Sequence, residues 1–232
     1  MSVLKTAPIP EIYYPESDGK PMAETDTHVK LMAHLREALD LYYQDDPNVY
    51  VSANILLYYV QGNPKKRVSP DVFVAKGRPK GNRRVYKLWE EGVPPTVIIE
   101  LGSKETWRED QYEKWRLYEQ LGVQEYYLFD PEYSYLVEPL IGWHLMDDGQ
   151  YRLLKVKKGR IKSDALGLEL VDTGQTLRLY NPETKQFLPT MAELDAAREQ
   201  AEARVRAEAE ARQKAEAEIA RLQAELAKLR QA

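Results

Sequence analysis

The sequence predicts a mixed α/β fold, a central mixed β-sheet flanked by helices, with a long helix appended at its C-terminal end. Three observations carry that expectation. Apolar residues first recur at helical spacing and then give way to short runs rich in β-branched and aromatic residues. A second helical stretch separates the third such run from the fourth. From about Thr190 the composition shifts to Ala, Glu, Arg, Lys, Gln and Leu, with no Gly or Pro through Ala232. Helices interleaved with strands in this order give a layered α/β core.

Residues 1–20, with their prolines and a Ser-Asp-Gly turn, are expected to form a flexible leader. The core domain is expected over 21–189 and a helical coiled-coil segment over 190–232. Thr27 caps the first expected helix, in which Leu31, Leu35, Leu39 and Tyr42 recur at helical spacing. Three strand-like runs follow, "NVYVSANILLYYV" (48–60), "VSPDVFVAK" (68–76) and "PTVIIEL" (95–101), the first two joined by a Gly62-Asn63-Pro64 turn. A second helix is expected from Lys104 to Leu121, opened by Ser103 and closed by Gly122. "EYYLFD" (125–130) is the next strand, and "YSYLVEPLI" and "GLELVDTGQTLRLYN" read as peripheral strands around a turn-rich insert.

In the last segment Ile219, Leu222, Leu226 and Leu229 have the 3-4-3 spacing of a heptad seam. The register extends back through Ala215, Val205, Ala201, Leu194 and Met191, and it also places Arg212, Glu208 and Arg198 on the seam. A homo-oligomer formed through this helix is expected, and a single helix held by charge pairs at four-residue spacing is the competing reading.

Composition excludes several chemistries. The 232 residues include no cysteine, which rules out disulfides, thiolate metal sites and a cysteine nucleophile, and points to a reducing cytoplasm. No apolar run approaches the roughly 18 residues that a membrane helix needs, so no membrane partner is expected.

The apolar runs contain two carboxylates, Asp71 in "SPDVFVAKG" and Glu100 in "TVIIELGSKET". Two acids converging from neighbouring strands repel unless a cation lies between them, and hard divalent cations such as Mg2+, with Mn2+ as a substitute, take such oxygen ligands. The following helix adds an independent sign. At 100° per residue, Lys114 falls within the arc of Trp107, Trp115, Leu117, Tyr118 and Leu121, opposite a face of charged residues. An ammonium on a buried face is costly unless it meets an anion, and Asp71 and Glu100 are the obvious ones. Two acids holding a divalent ion beside a lysine suit hydrolysis of a phosphodiester.

The net charge is −4, yet nine Lys and Arg residues lie between Lys65 and Lys87 with Asp71 as the sole acid. Within that run Lys76, Arg78, Lys80, Arg83 and Arg84 are candidate DNA contacts.

"PDVFV", "VIIELGS" and "REDQYEKWRLYEQLGVQEYYLFDP" together resemble the Uma-type restriction endonuclease family, a branch of the PD-(D/E)XK nuclease superfamily. The resemblance spans roughly Tyr13 to Pro189 and implies a restriction-endonuclease-like core and metal-dependent DNA cleavage. It matches Asp71 and Glu100 to the acids of the first and second motifs. The superfamily's lysine two residues after the second acid is absent, because Gly102 stands there. In this branch the lysine sits on the next helix, in a pattern of Lys, three residues, Tyr that Lys114 and Tyr118 match. Lys104 is expected to point outward, and His28 to be a surface or capping residue. Some superfamily members add a ligand from the first helix, where Glu37 stands, or from the segment before it, which offers Glu24 and His28, and Asp110 either orients Lys114 or favours the N-terminal half of its helix. The rival functional readings are a catalytically silent nucleic-acid-binding or oligomerisation module and a transposase-like nuclease of the same chemistry.

Overall fold

The computed structural model describes residues 12–17, 19 and 25–229. The chain divides into two compact units between Leu188 and Pro189. In the first, α1 (Asp26–Tyr42) precedes β1 (Val49–Ala53), β2 (Leu57–Tyr58), β3 (Arg67–Val68), β4 (Val72–Lys76) and β5 (Tyr86–Lys87). Then come α2 (Leu88–Glu91), β6 (Val97–Leu101), α3 (Trp107–Glu109), a π-helical turn (Asp110–Lys114) and α4 (Trp115–Leu121). The remainder is β7 (Glu125–Phe129), β8 (Leu140–Leu145), β9 (Tyr151–Leu153), β10 (Arg160–Ser163), β11 (Leu168–Asp172), β12 (Leu177–Asn181) and β13 (Gln186–Phe187).

Six strands form the central sheet in the order β1-β4-β6-β7-β8-β9. Only β6 and β7 run parallel, so the sheet is mixed. The parallel pair is joined by the helical segment 107–121, as parallel neighbours require a crossover. Alternation along the strands splits the side chains between two cores. Val72, Val74, Val97, Ile99, Tyr127 and Phe129 pack with α1 and with the antiparallel sheet β10-β11-β12-β13. Phe73, Ala75, Ile98, Tyr126 and Leu128 pack on the other face with Tyr118 of α4 and Tyr86 of β5. Both faces are covered, which accounts for strands that are apolar on both sides.

Several boundaries differ from the sequence expectation. The run 48–60 is two strands rather than one, because Asn54 adopts φ 50° and its backbone N–H turns to the carbonyl oxygens of Pro70 and Asp71. The left-handed region is open to Asn at little cost. The run 68–76 is likewise divided, and Asp71 lies just ahead of β4. The cap of α1 is Thr25, whose Oγ1 accepts from the His28 N–H at 3.3 Å, not Thr27. In "YSYLVEPLI" the strand begins only at Leu140, because the preceding loop wraps the buried Asp130 carboxylate, which accepts from the N–H groups of Glu132, Ser134, Tyr135 and Leu136.

The expected leader falls largely outside the described residues. In its described part Tyr14 lies against Tyr58 and Trp89 at 5.0 and 5.1 Å between ring centroids, and Tyr58 donates to the Pro15 carbonyl, while Ile12 and Tyr13 are exposed.

The second unit is α5 (Met191–Leu229), 39 residues or about 58 Å long. Thr190 and Glu193 form a reciprocal capping box at its start. Among the described residues no helix is long and apolar enough to cross a membrane.

Candidate active site

The pairing Val72↔Ile99 between β4 and β6 sets Asp71 opposite Glu100 at one end of the sheet. Both carboxylates leave on the face covered by the helical segment 107–121, the face of Phe73 and Ile98. The Asp71 N–H donates to Glu100 Oε2 at 3.3 Å, and the Leu101 N–H donates to Asp71 Oδ2 at 2.7 Å. Each acid is therefore held by the other's strand.

Lys114 enters from the helix. Its Nζ lies 3.1 Å from Glu100 Oε2 and 2.8 Å from Asp110 Oδ1. Tyr118, one turn on, donates to Glu100 Oε1 at 2.5 Å, and Tyr126 of β7 donates to the Asp110 carbonyl at 2.9 Å. The π turn spans Asp110 to Lys114, so the wide turn sits where these two side chains face the sheet. Such turns recur at functional sites. On the other side His28 of α1 reaches Asp71, with Nε2 3.2 Å from Oδ1.

The cluster is dry. Glu100 is 0% exposed and Asp110 1%, while the Lys114 side chain is 14% exposed. Burial pushes the Glu100 carboxyl well above the usual range, and the charges of Asp71 and Asp110 add to the rise against the pull of Lys114. Burial also raises Asp110 despite Lys114. For Asp71 burial is outweighed by the hydrogen bond to His28 and the charge of Lys114, which lower it. Lys114 would lose its proton more readily through burial, but Glu100, Asp110 and Asp71 hold it above the ordinary lysine range. It remains an ammonium.

Ionising all three carboxylates, which burial opposes at Glu100 and Asp110, leaves them with more negative charge than Lys114 alone balances. That excess, and the hard oxygen donors that create it, fit a divalent cation. Each Asp71 and Glu100 oxygen already has a partner, yet a carboxylate offers about four lone-pair sites, so acceptor capacity remains. Among the described residues no group of three or more His, Asp and Glu side chains is arranged to hold a metal by itself. Mg2+ characteristically uses only one or two carboxylates and fills its remaining positions with water and phosphate.

Asp71, Glu100 and Lys114, predicted from the sequence, are thus brought together. His28 is buried in the site rather than at the surface, a correction to the expectation. Its signal was present: it continues the Leu31, Leu35 and Leu39 stripe that faces the core. Asp110 also belongs to the cluster, at the i, i+4 spacing from Lys114. Glu37 is nine residues along α1 from His28, about 13 Å of axial rise, Lys104 is exposed, and Glu24 lies outside the described residues.

The candidate DNA contacts are elsewhere. Lys76 ends β4 at the end remote from Asp71, about 17 Å away by strand rise. The backbone N–H groups of Arg78 and Lys80 bond to Asn48 and Pro47, beside the far end of β1. Arg78 and Arg83 both meet Glu91, at 3.2 and 2.7 Å. Lys80 pairs with Asp40 and Arg84 with Glu16, while Lys76 lies over the Tyr43 ring and Arg83 over that of Tyr50. Lys76, Arg78 and Lys80 thus lie toward the strand end away from Asp71, and Arg78, Lys80, Arg83 and Arg84 each have a local counter-charge.

Among curated proteins nothing matches the chain. Among solved structures, one described as a "putative nuclease belonging to DUF820" from Anabaena variabilis ATCC 29413 is similar, at 12% identity and a TM-score of 0.46, over 63% of this chain and 76% of that one. The family profile described as "Putative restriction endonuclease", Uma2, matches residues 8–177. That match takes in β1 to β7 with the helical segment 107–121, and hence Asp71, Glu100 and Lys114, and the chain belongs to the Uma2 family.

Proposed function

We propose that the protein is a metal-dependent endodeoxyribonuclease that hydrolyses DNA phosphodiester bonds, with Mg2+ as its ion and Mn2+ as a substitute. The observation that carries the reading is the convergence of acids at the end of the sheet, where Glu100 and Asp110 hold the Lys114 ammonium and Asp71 stands beside Glu100. Family membership supports the nuclease class.

Asp71 and Glu100 would hold the ion, which when bound supplies Lewis acidity toward the phosphodiester and makes water a stronger acid. His28 and the Leu101 N–H fix the Asp71 carboxylate, and Tyr118 fixes that of Glu100, so neither acid needs to reorganise. Lys114, aimed by Asp110, presents a permanent positive charge. Because its proton is held so firmly, Lys114 serves as a donor to the charge gathering on the phosphoryl oxygens and to the attacking water, not as a general base. Of the basic residues, Lys76, Arg78 and Lys80 would touch DNA at a distance from the cleaved phosphate, with Arg83 and Arg84 as further backbone contacts.

The test is cleavage of mixed single- and double-stranded DNA by the wild type and Asp71→Ala, each with Mg2+, Mn2+ or EDTA. Cutting by the wild type with either metal, its loss in EDTA and its loss in the variant with circular dichroism unchanged are expected. DNA binding without cutting under any metal, or equal cutting by the variant, would overturn the proposal and favour a silent binding module on a nuclease-like scaffold.

A further inference from the structure

The helix α5 leaves its seam residues in water: Val205, Ile219, Leu222 and Leu226 are all exposed. Three charged residues interrupt the same seam, Arg198, Glu208 and Arg212. We infer that a second copy of this chain covers the seam as an antiparallel coiled coil in full-length register, with Glu208 of each helix against the partner's Arg212.

Parallel and antiparallel pairs place different residues at one level. A parallel dimer stacks every seam residue on its own copy, which sets Arg198 on Arg198, Glu208 on Glu208 and Arg212 on Arg212, three like-charge layers. It also sets Ala201 on Ala201 and Ala215 on Ala215, layers too small to fill the space between the helices. An antiparallel dimer pairs a positions with d positions. Full overlap of the 39 residues Met191–Leu229 centres on Glu210 and gives a different set. Leu194 then meets the partner's Leu226, Ala201 the partner's Ile219, and Val205 the partner's Ala215, a small side chain against a larger one in the last two layers. Glu208 meets the partner's Arg212 twice, once on each side of the centre. Arg198 covers the partner's Leu222 with its stem while its head stays with Glu202, the partner it already has at 3.0 Å.

Other antiparallel registers lose this match. A slip of one heptad in either direction puts Glu208 against the partner's Ile219 or Val205, an unpaired carboxylate on an apolar side chain. Along the flanks, Arg204 lies near the partner's Glu218. The like-charged flank of Glu202 and the partner's Glu216 is offset within each helix by Arg198 and Arg206 on Glu202 and by Arg212 on Glu216. A consequence follows from connectivity. The chain enters α5 at Met191, so in the antiparallel pair the two points of entry lie at opposite ends of a helix pair about 58 Å long.

The protein contains no cysteine, so introduced thiols are the only ones present. The experiment oxidises full-length Val205→Cys, Ala215→Cys and the double variant, and reads covalent dimers on a non-reducing gel. In the antiparallel register each single variant holds its two thiols about ten residues of rise apart, about 15 Å, beyond disulfide reach. Only the double variant is then expected to cross-link. Sedimentation supplies the second arm: Glu208→Arg is expected to raise the dimer dissociation constant by about tenfold or more, and adding Arg212→Glu to restore it to within about threefold. Cross-linking of either single variant, a charge swap that restores nothing, or a wild type that sediments as a monomer overturns the inference. None of these outcomes depends on whether the protein cuts DNA.

Discussion

Glu100 is the residue whose behaviour is most sharply constrained. In the metal-free protein its carboxyl titrates well above the ordinary range because of burial, with Asp71 and Asp110 adding to the effect. The folded state therefore binds more protons there than the unfolded chain, and stability falls as pH rises from the ordinary carboxylate range through the raised pKa. Glu100→Gln should remove that slope, be more stable than wild type at neutral pH and fail to cut DNA; denaturant titrations from mildly acidic to mildly alkaline pH check it. Asp71 has the opposite sign: its lowered pKa contributes stability that is lost as pH falls through the acid range. Asp110→Asn keeps the volume but loosens the aim of Lys114, and should lower kcat about 10- to 100-fold, as cleavage rates at saturating metal would register. Asp71, Glu100 and Lys114 were legible because each puts a charge where the local pattern calls for an apolar side chain. For His28 the stripe it shares with Leu31, Leu35 and Leu39 marked burial, but a histidine at a helix start also suits a cap, and only the position of α1 over β4 brings it to Asp71.

At the scale of elements, the strand break at Asn54 shapes the site's edge. Its φ of 50° and the hydrogen bonds of its N–H to Pro70 and Asp71 hold the chain beside the first acid. A β-branched residue is strained in that conformation and glycine is not, so Asn54→Val should cost about 1–3 kcal/mol of stability, while Asn54→Gly should cost less, as thermal unfolding would register. The sequence hides this break, because the apolar run continues on both sides of it. The two-residue strands β2, β3 and β5 are equally hidden, since their pairing depends on partners distant in sequence. The π turn leaves no mark either: a helix with one wide turn retains an apolar arc, and the arc was enough to single out Lys114.

For the whole molecule, the central sheet was legible from its apolar runs, and α5 from its composition, because both signals are local and long. The β10-β13 sheet was read only as peripheral strands, as its role in covering one face of the core follows from packing with α1. Deleting Leu194–Ala232 should leave the first unit folded and move the protein toward monomer, and equal sedimentation with and without the segment would contradict that. In the proposed site the two acids hold the ion while the lysine acts on the chemistry. The most direct test of that division is Mn2+ binding by electron paramagnetic resonance, measured beside DNA cleavage, for wild type, Glu100→Gln and Lys114→Met. The account predicts that Lys114→Met binds Mn2+ at least as tightly as wild type, since a repelling charge is gone, yet does not cut, and that Glu100→Gln loses both. Binding by Glu100→Gln equal to wild type, or cleavage retained in Lys114→Met, would contradict it.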